Sequence, residues 1–372
     1  MDADAEPGQA RERLIRILDL ARWAPSGDNT QPWRFDIRSA DHLVVYGSDT
    51  RHRVVFDLEG HASQLAIGAL LESLSIAASG EGRRALVSYR TPEARPDEHP
   101  TFDVRFVEEP GLTPDVLLPF LTTRCANRRP LGTRRLSADE RTGIEADSAP
   151  PDHRFPPHRI VWLESGSDKR AMAWIVQRAG RLRLTIPETW AVHRDAIEWN
   201  ARFSDDRMPD QSLGLPLLVL PLMRWIMRSW PRFSFFSHIP GATIPPRIGL
   251  DILPALRSSA HFVLLAPSPP ETLEDYLASG RAVCRFWLAT TRQALQSQPE
   301  TTPLIFRSYV RRQIRFSKRP GATEEAQLVA ASLEKLIGAE AASRAVFLGR
   351  VGRGRPPRSR SLRLSLSALI RS

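Results

Sequence analysis

A chain of 372 residues that is 42% hydrophobic and 25% charged is long enough for one large or two moderate domains and too apolar to stay unfolded. Its two cysteines exclude a disulfide framework and a paired-CxxC zinc site, and they fit a reduced, cytoplasmic compartment. The net charge of +10 is almost all arginine: only Lys169, Lys318 and Lys335 are lysine, leaving 49 arginines among 52 basic residues. They are scattered rather than gathered on one helix, and charge alone is a weak footprint, so no nucleic-acid partner is expected.

The first residues, MDADAEPGQARERLIR, are acidic and then mixed, without the basic-then-apolar order of a signal peptide. Residues 11–24 place Leu14, Ile17, Leu18, Ala21 and Trp23 near helical spacing, and Pro25 stops the helix. The polar loop PSGDNTQPW follows. RFDIR and HLVVYG then read as strands joined by a turn at Ser39–Asp41. Residues 61–79 predict an Ala/Leu helix whose small residues suit close packing, ended by Gly80–Gly82, and 85–89 and 102–107 predict strands across a Pro-rich loop.

A second half begins near Pro114. It holds TTRCANRRPLG (122–132), a strand at 158–164, helical patterns from 168 to 204 and a strand at 261–266. A second Ala/Leu helix at 279–299 and a last strand at 345–351 complete it. The two Ala/Leu helices make a faint internal repeat. Residues 212–230 are the most apolar stretch, but Pro216, Pro221 and Arg224 interrupt it. The uncharged run is shorter than the roughly 18–20 residues a bilayer requires, so no integral membrane span is expected. A buried or lid helix is the reading, with interfacial membrane contact as the alternative.

The chemistry is concentrated in Ala21–Ile37, where a helix stop and a strand start flank Ser26, Gly27, Asp28, Asn29 and Gln31. A planar polar heterocycle needs backbone donors, an amide offering donor and acceptor, and no bulk in the way. The same residues also suit a plain helix stop with turn chemistry, and the pattern leaves both open. The string AxWAPSGxNxQPWxF closely resembles the signature of the nitroreductase superfamily of FMN-dependent oxidoreductases. The resemblance implies an α+β, nitroreductase-like FMN-binding fold, in which this segment crosses a dimer interface to reach a flavin held mainly by the other subunit. Carried over, Pro25, Ser26, Gly27 and Asn29 become flavin contacts, and Gln31, Pro32 and Trp33 brace the loop.

The family's second motif, an Arg-x-Ser-x-Arg-type sequence near the chain start that holds the FMN phosphate, has no counterpart before residue 21. TTRCANRRPLG offers Arg124, Asn127 and Arg128 in its place. Guanidinium groups suit phosphate through paired, charge-assisted hydrogen bonds, although in so arginine-rich a chain the loop equally reads as solvated surface. Each motif occurs once, in opposite halves. Together with the resemblance this implies a fused, monomeric pseudo-dimer that keeps one flavin site. Its halves would be residues 1–113 and 114–372, the latter with an apolar, lid-like insertion at about 205–250.

Two further segments follow the resemblance. QSQPETTP (296–303) would place Glu300 and Thr301 near the flavin N5 edge. In the tail, FLGRVGRGRPPRSRSLR, Arg360 and Arg363 become a second grip on phosphate, with Arg358 as a rival. The implied reaction passes electrons from NAD(P)H through FMN to a nitroaromatic, quinone or similar small-molecule acceptor, and it obliges no catalytic side chain because the flavin carries the chemistry. His61, His193 and His261 read as structural or surface residues and Cys284 as core. Cys125 sits beside the proposed phosphate site with nothing to mark it a nucleophile. Two other classes stay open: a flavin-holding or regulatory protein of the same fold with little turnover, and a membrane-surface or partner-binding protein using residues 213–227 and the basic tail.

Overall fold

The periodic apolar residues near the N-terminus form helix α1 (Pro7–Ala21), with Leu14, Ile17, Leu18 and Ala21 fully buried. The computed structural model describes residues 7–90, 98–151, 154–239 and 247–371. The acidic residues 1–6, the Pro-rich connection at 91–97 and residues 240–246 of the expected insertion lie outside the described residues.

Strands β1 (Trp33–Ile37), β2 (His42–Gly47), β3 (Arg83–Tyr89) and β4 (Thr101–Glu108) form one antiparallel sheet in the order β1-β2-β4-β3. Alternation sets its faces: Trp33 and Phe35 enter the core while Arg34 between them is exposed. A second antiparallel sheet uses β5 (Arg159–Leu163), β6 (Ala260–Leu265), β7 (Gln296–Pro299) and β8 (Ala345–Gly352), in the order β7-β8-β6-β5. All of β6 is buried, so this sheet is covered on both faces. Phe262 and Leu264 join the core shared with the first sheet, while Val263 and Leu265 face a second core. Helices α4 (Gly166–Arg183), α9 (Thr302–Arg311) and α10 (Ala322–Ile337) build that second core. The class is mixed helix and sheet, as expected.

Two long helices join the sheets at the centre, α2 (His61–Ser79) and α8 (Leu273–Arg292). Their backbones cross in contact. A Cβ on Gly280 would stand 2.1 Å from the Leu65 carbonyl oxygen, and one on Gly68 2.2 Å from that of Leu277. Only glycine fits there. Glu72 on α2, fully buried, is held by Arg281 and Arg285 of α8 at 3.1 Å each, and Arg285 also meets Asp115 at 2.6 Å. Among the described residues α2 is the one helix long and apolar enough to cross a membrane, and 89% of its apolar window is buried in the protein. It is a core helix.

Three expectations change. Helix α8 begins at Leu273 rather than at residue 279, because Thr272 and Asp275 form a capping box. It ends at Arg292 rather than at residue 299: Ala294 is left-handed (φ 55°), and residues 296–299 pair with β8. The helical pattern over 168–204 is two helices, α4 and α5 (Pro187–Ala196), followed by two-residue ladders joining 197–198 to 208–209 and 203–204 to 360–361. The apolar stretch is not a buried helix. Pro216 starts a 3-10 turn (Leu217–Val219) and Pro221 lies in the first turn of α6 (Leu220–Met227), where a missing N–H is tolerated; α7 (Trp230–His238) follows. Leu218 is 94% exposed.

Candidate cofactor site

The loop after α1 is built from unusual backbone. Asp28, Asn29 and Gln31 have φ of 48°, 65° and 46°, a region that Asn and Asp visit readily and Gln seldom does. Side-chain hydrogen bonds hold it there. Gln31 N donates to Ser26 Oγ at 3.1 Å. Asn29 Nδ2 and Gln31 Nε2 both donate to the Asp205 carbonyl, at 3.0 and 2.8 Å. From the tail, Arg363 Nη1 donates to Asn29 Oδ1 at 2.8 Å and Leu364 N to Gln31 Oε1 at 3.0 Å. The amides thus fasten the loop to two segments remote in sequence, leaving Pro25, Ser26 and Gly27 facing a cavity.

That cavity has a volume of about 570 Å³, within the roughly 300–1,000 Å³ of small-molecule sites. It adjoins a pocket of about 90 Å³, and Pro25, Ser26, Asp28, Arg128 and Trp287 line both. The small pocket is basic: Arg124, Arg128, Arg360 and Arg363 all line it. Arg124 stacks 4.5 Å from the Trp287 ring centroid and donates from Nη2 to the Trp23 carbonyl at 2.9 Å. Arg360 lies 4.9 Å from the Trp23 ring centroid and donates from Nη2 to the Thr122 carbonyl at 2.9 Å, while its buried Nε has no hydrogen-bond partner among the described residues. Among the described residues none of the four forms an ion pair with a carboxylate. Burial, with Arg360 nearby and against a raising pull from Cys284, pushes the Arg124 guanidinium down to about 10, and burial with Arg124, Arg360 and Arg22 pushes that of Arg363 well below its ordinary value. Asp28, which lines the same pocket, offsets Arg128 in part; the remaining sequestered cations are costly, and an anion would relieve them. The half-buried Cys125 thiol is pushed up by burial, which keeps it protonated and unreactive.

The large cavity is mixed in character. Apolar and aromatic side chains, among them Phe56, Met223, Met227 and Phe233, line it alongside charged groups. Glu300 is held through Oε2 by His261 Nδ1 at 3.0 Å and through Oε1 by Arg350 Nε at 3.2 Å. Asp251 is held by Arg183 at 3.0 Å. Burial, opposed by Arg183 and aided by Glu300, raises the Asp251 carboxyl to about 6. Burial lowers His61 and His193 to about 3, helped by nearby arginines, so both rings are neutral near pH 7. Several buried polar atoms of the lining residues lack hydrogen-bond partners: Trp287 Nε1, Gln298 Oε1, Asp251 Oδ2 and Arg350 Nη1. Unpaired buried groups cost about 1–3 kcal/mol each in a closed interior; around a cavity they are spare valences for a polar ligand.

Of the expected site residues, Pro25, Ser26, Gly27, Arg128, Glu300 and Thr301 line the large cavity, and Asn29, Arg124, Arg360 and Arg363 line the small one. Asn127 lines neither. It is buried, and its amide donates to Gln296 Oε1 at 3.3 Å and the Arg355 carbonyl at 3.1 Å. The Glu300 N–H donates to the Leu348 carbonyl at 2.8 Å and its carboxylate is held by His261 and Arg350, so its backbone amide is already committed within the sheet. Arg358 is exposed and outside both linings. Sequence reading missed Arg350, Arg183, Asp251 and Trp287. Arg350 alone left a signal, a charge in an otherwise apolar strand; the others sit on helices or turns with ordinary patterns.

No family model and no curated protein matches the chain. Among solved structures it is similar to a nitroreductase-like family protein from Bacillus cereus, at 12% identity and a TM-score of 0.33, over 68% of this chain and 92% of that one. A superposition this loose fixes neither cofactor nor reaction.

Proposed function

We propose that the chain is an FMN-dependent oxidoreductase of the nitroreductase type, in which residues 1–113 and 114–372 fold as an intramolecular pseudo-dimer sharing one cofactor site. One observation carries the reading: a large cavity bordered by the PSGDN loop adjoins a pocket lined by four arginines, none of them ion-paired with a carboxylate among the described residues, with Asp28 the one acidic residue in that lining. These residues fit a planar, phosphorylated group. Arg124, Arg128 and Arg360 would hold the phosphate. Arg363 is largely spent, donating to the Ala24 carbonyl at 2.9 Å and to Asn29, and so braces the loop against them. When bound, FMN would take an electron pair from NAD(P)H and pass it to a nitroaromatic, quinone or similar acceptor. Glu300 keeps Arg350 oriented toward the cavity, and the neutral His61 and His193 leave its charge balance to carboxylates and arginines.

The division of labour supports the shared site, since the loop comes from the first half and every pocket arginine from the second. It also supports a monomeric chain. The free cysteines Cys125 and Cys284 support a cytoplasmic location. A flavin-holding protein with little turnover is the second reading, favoured by the apolar lining that Met223, Met227 and Phe233 give the cavity. The test is the visible spectrum of the purified protein, with mass identification of what denaturation releases. FMN at about one per chain, lost in Arg124→Ala/Arg128→Ala, is the expected result. A colourless protein that refuses added FMN overturns the proposal. Bleaching by NADPH distinguishes turnover from holding, which only dithionite would bleach.

A further inference from the structure

We infer that residues 215–239 dock this protein onto an anionic lipid bilayer surface, a property independent of the cofactor reading. Residues 211–250 contain no aspartate or glutamate, yet include Arg224, Arg228, Arg232 and Arg247. The exposed large apolar side chains are not spread evenly. Among the described residues, ten of the sixteen fall between 217 and 256, including Leu217, Leu218, Leu222, Trp225 and Phe235. Scattered apolar residues need no explanation, but a concentrated band does.

Seven of the ten lie within 217–239, where the 3-10 turn, α6 and α7 pack on one another. Trp225 of α6 packs edge-on against Phe236 of α7 at 5.9 Å, and Phe236 against Phe235 at 5.6 Å. Arg232 lies 4.7 Å over the Trp225 ring. Met223, Met227 and Phe233 on the inner side line the cavity, so the outer apolar side serves no contact with it. Helices of eight and nine residues are too short to span a bilayer. They suit lying in the interface, with leucines and aromatic rings in the acyl boundary and arginines among the headgroups. The charge selects the partner: a cationic stretch with no acid of its own is drawn to anionic lipid.

The test floats the full-length protein with vesicles of phosphatidylcholine alone or with phosphatidylglycerol added. Recovery with the vesicles is expected only when the anionic lipid is present. Partitioning should fall roughly fivefold for each of Arg228→Ala and Arg232→Ala, and by on the order of tenfold or more for Leu218→Asp with Leu222→Asp. Both leucines are exposed and line no cavity, so an unchanged thermal unfolding temperature confirms that the double variant is folded. Absence of binding to anionic vesicles, or equal binding by the folded double variant, overturns the inference. So does a wild-type dimer that this variant converts to a monomer, because the face would then be a self-association interface.

Discussion

Arg360 and Arg358 differ by two positions and a great deal of environment. Arg360 lies across Trp23 with an unpartnered Nε beside the small pocket, while Arg358 points to solvent. Charge-assisted hydrogen bonds contribute about 1.5–3 kcal/mol, so Arg360→Ala should weaken FMN binding about tenfold or more, with Arg358→Ala unchanged. Equal effects in a fluorescence titration would remove Arg360 from the phosphate grip. Asp251 makes a pH prediction at the same scale. Its folded pKa of about 6 lies above its ordinary 3.8, so the folded state holds the proton more tightly. The associated stability is full below the ordinary carboxylate range and is lost as pH rises through about 6, a change of about 3 kcal/mol. Urea unfolding of wild type should therefore lose stability between pH 4 and 7 relative to Asp251→Asn. A difference between the two that stays constant with pH would sink the assignment.

At the scale of elements, the central helix pair is the most constrained feature. A methyl on Gly280 collides with the Leu65 carbonyl and with the Gly68 Cα, both backbone atoms of α2 that no rotamer change can move aside. Gly280→Ala should cost about 1–3 kcal/mol, the usual range for overpacking, despite alanine's better helix propensity. An unfolding midpoint equal to or above that of wild type would show that the crossing is loose. The sequence displayed these helices through their Ala/Leu runs, and it displayed the strands of the first sheet through alternation or apolar clustering. Their limits were less legible. The capping box at Thr272 lay outside the apolar run, and residues 296–299 carry no strand periodicity because their place is set by pairing with β8.

For the whole molecule, the candidate site exists only because distant segments converge. The PSGDN loop, residues 124–128 and the tail at 360–363 meet around one pocket, and the last residues return to β1 through Arg371 N, which donates to the Phe35 carbonyl at 2.7 Å. If the proposed reading holds, a site completed within one chain predicts one FMN per monomer. Sedimentation of the cofactor-loaded protein as a monomer should agree with that ratio; two flavins per chain, or a dimer required for binding, would contradict it. The sequence alone determined the apolar face of α1, although the helix ends at Ala21 rather than running to Pro25, and the strands of the first sheet, because short-range periodicity and side-chain chemistry act locally. Tertiary structure decided which arginines share a pocket, that Asn127 braces rather than lines it, and that Leu218 faces out while Met223 faces in. Those outcomes depend on burial and on which remote partners neutralise each polar group, and neither is written in local spacing.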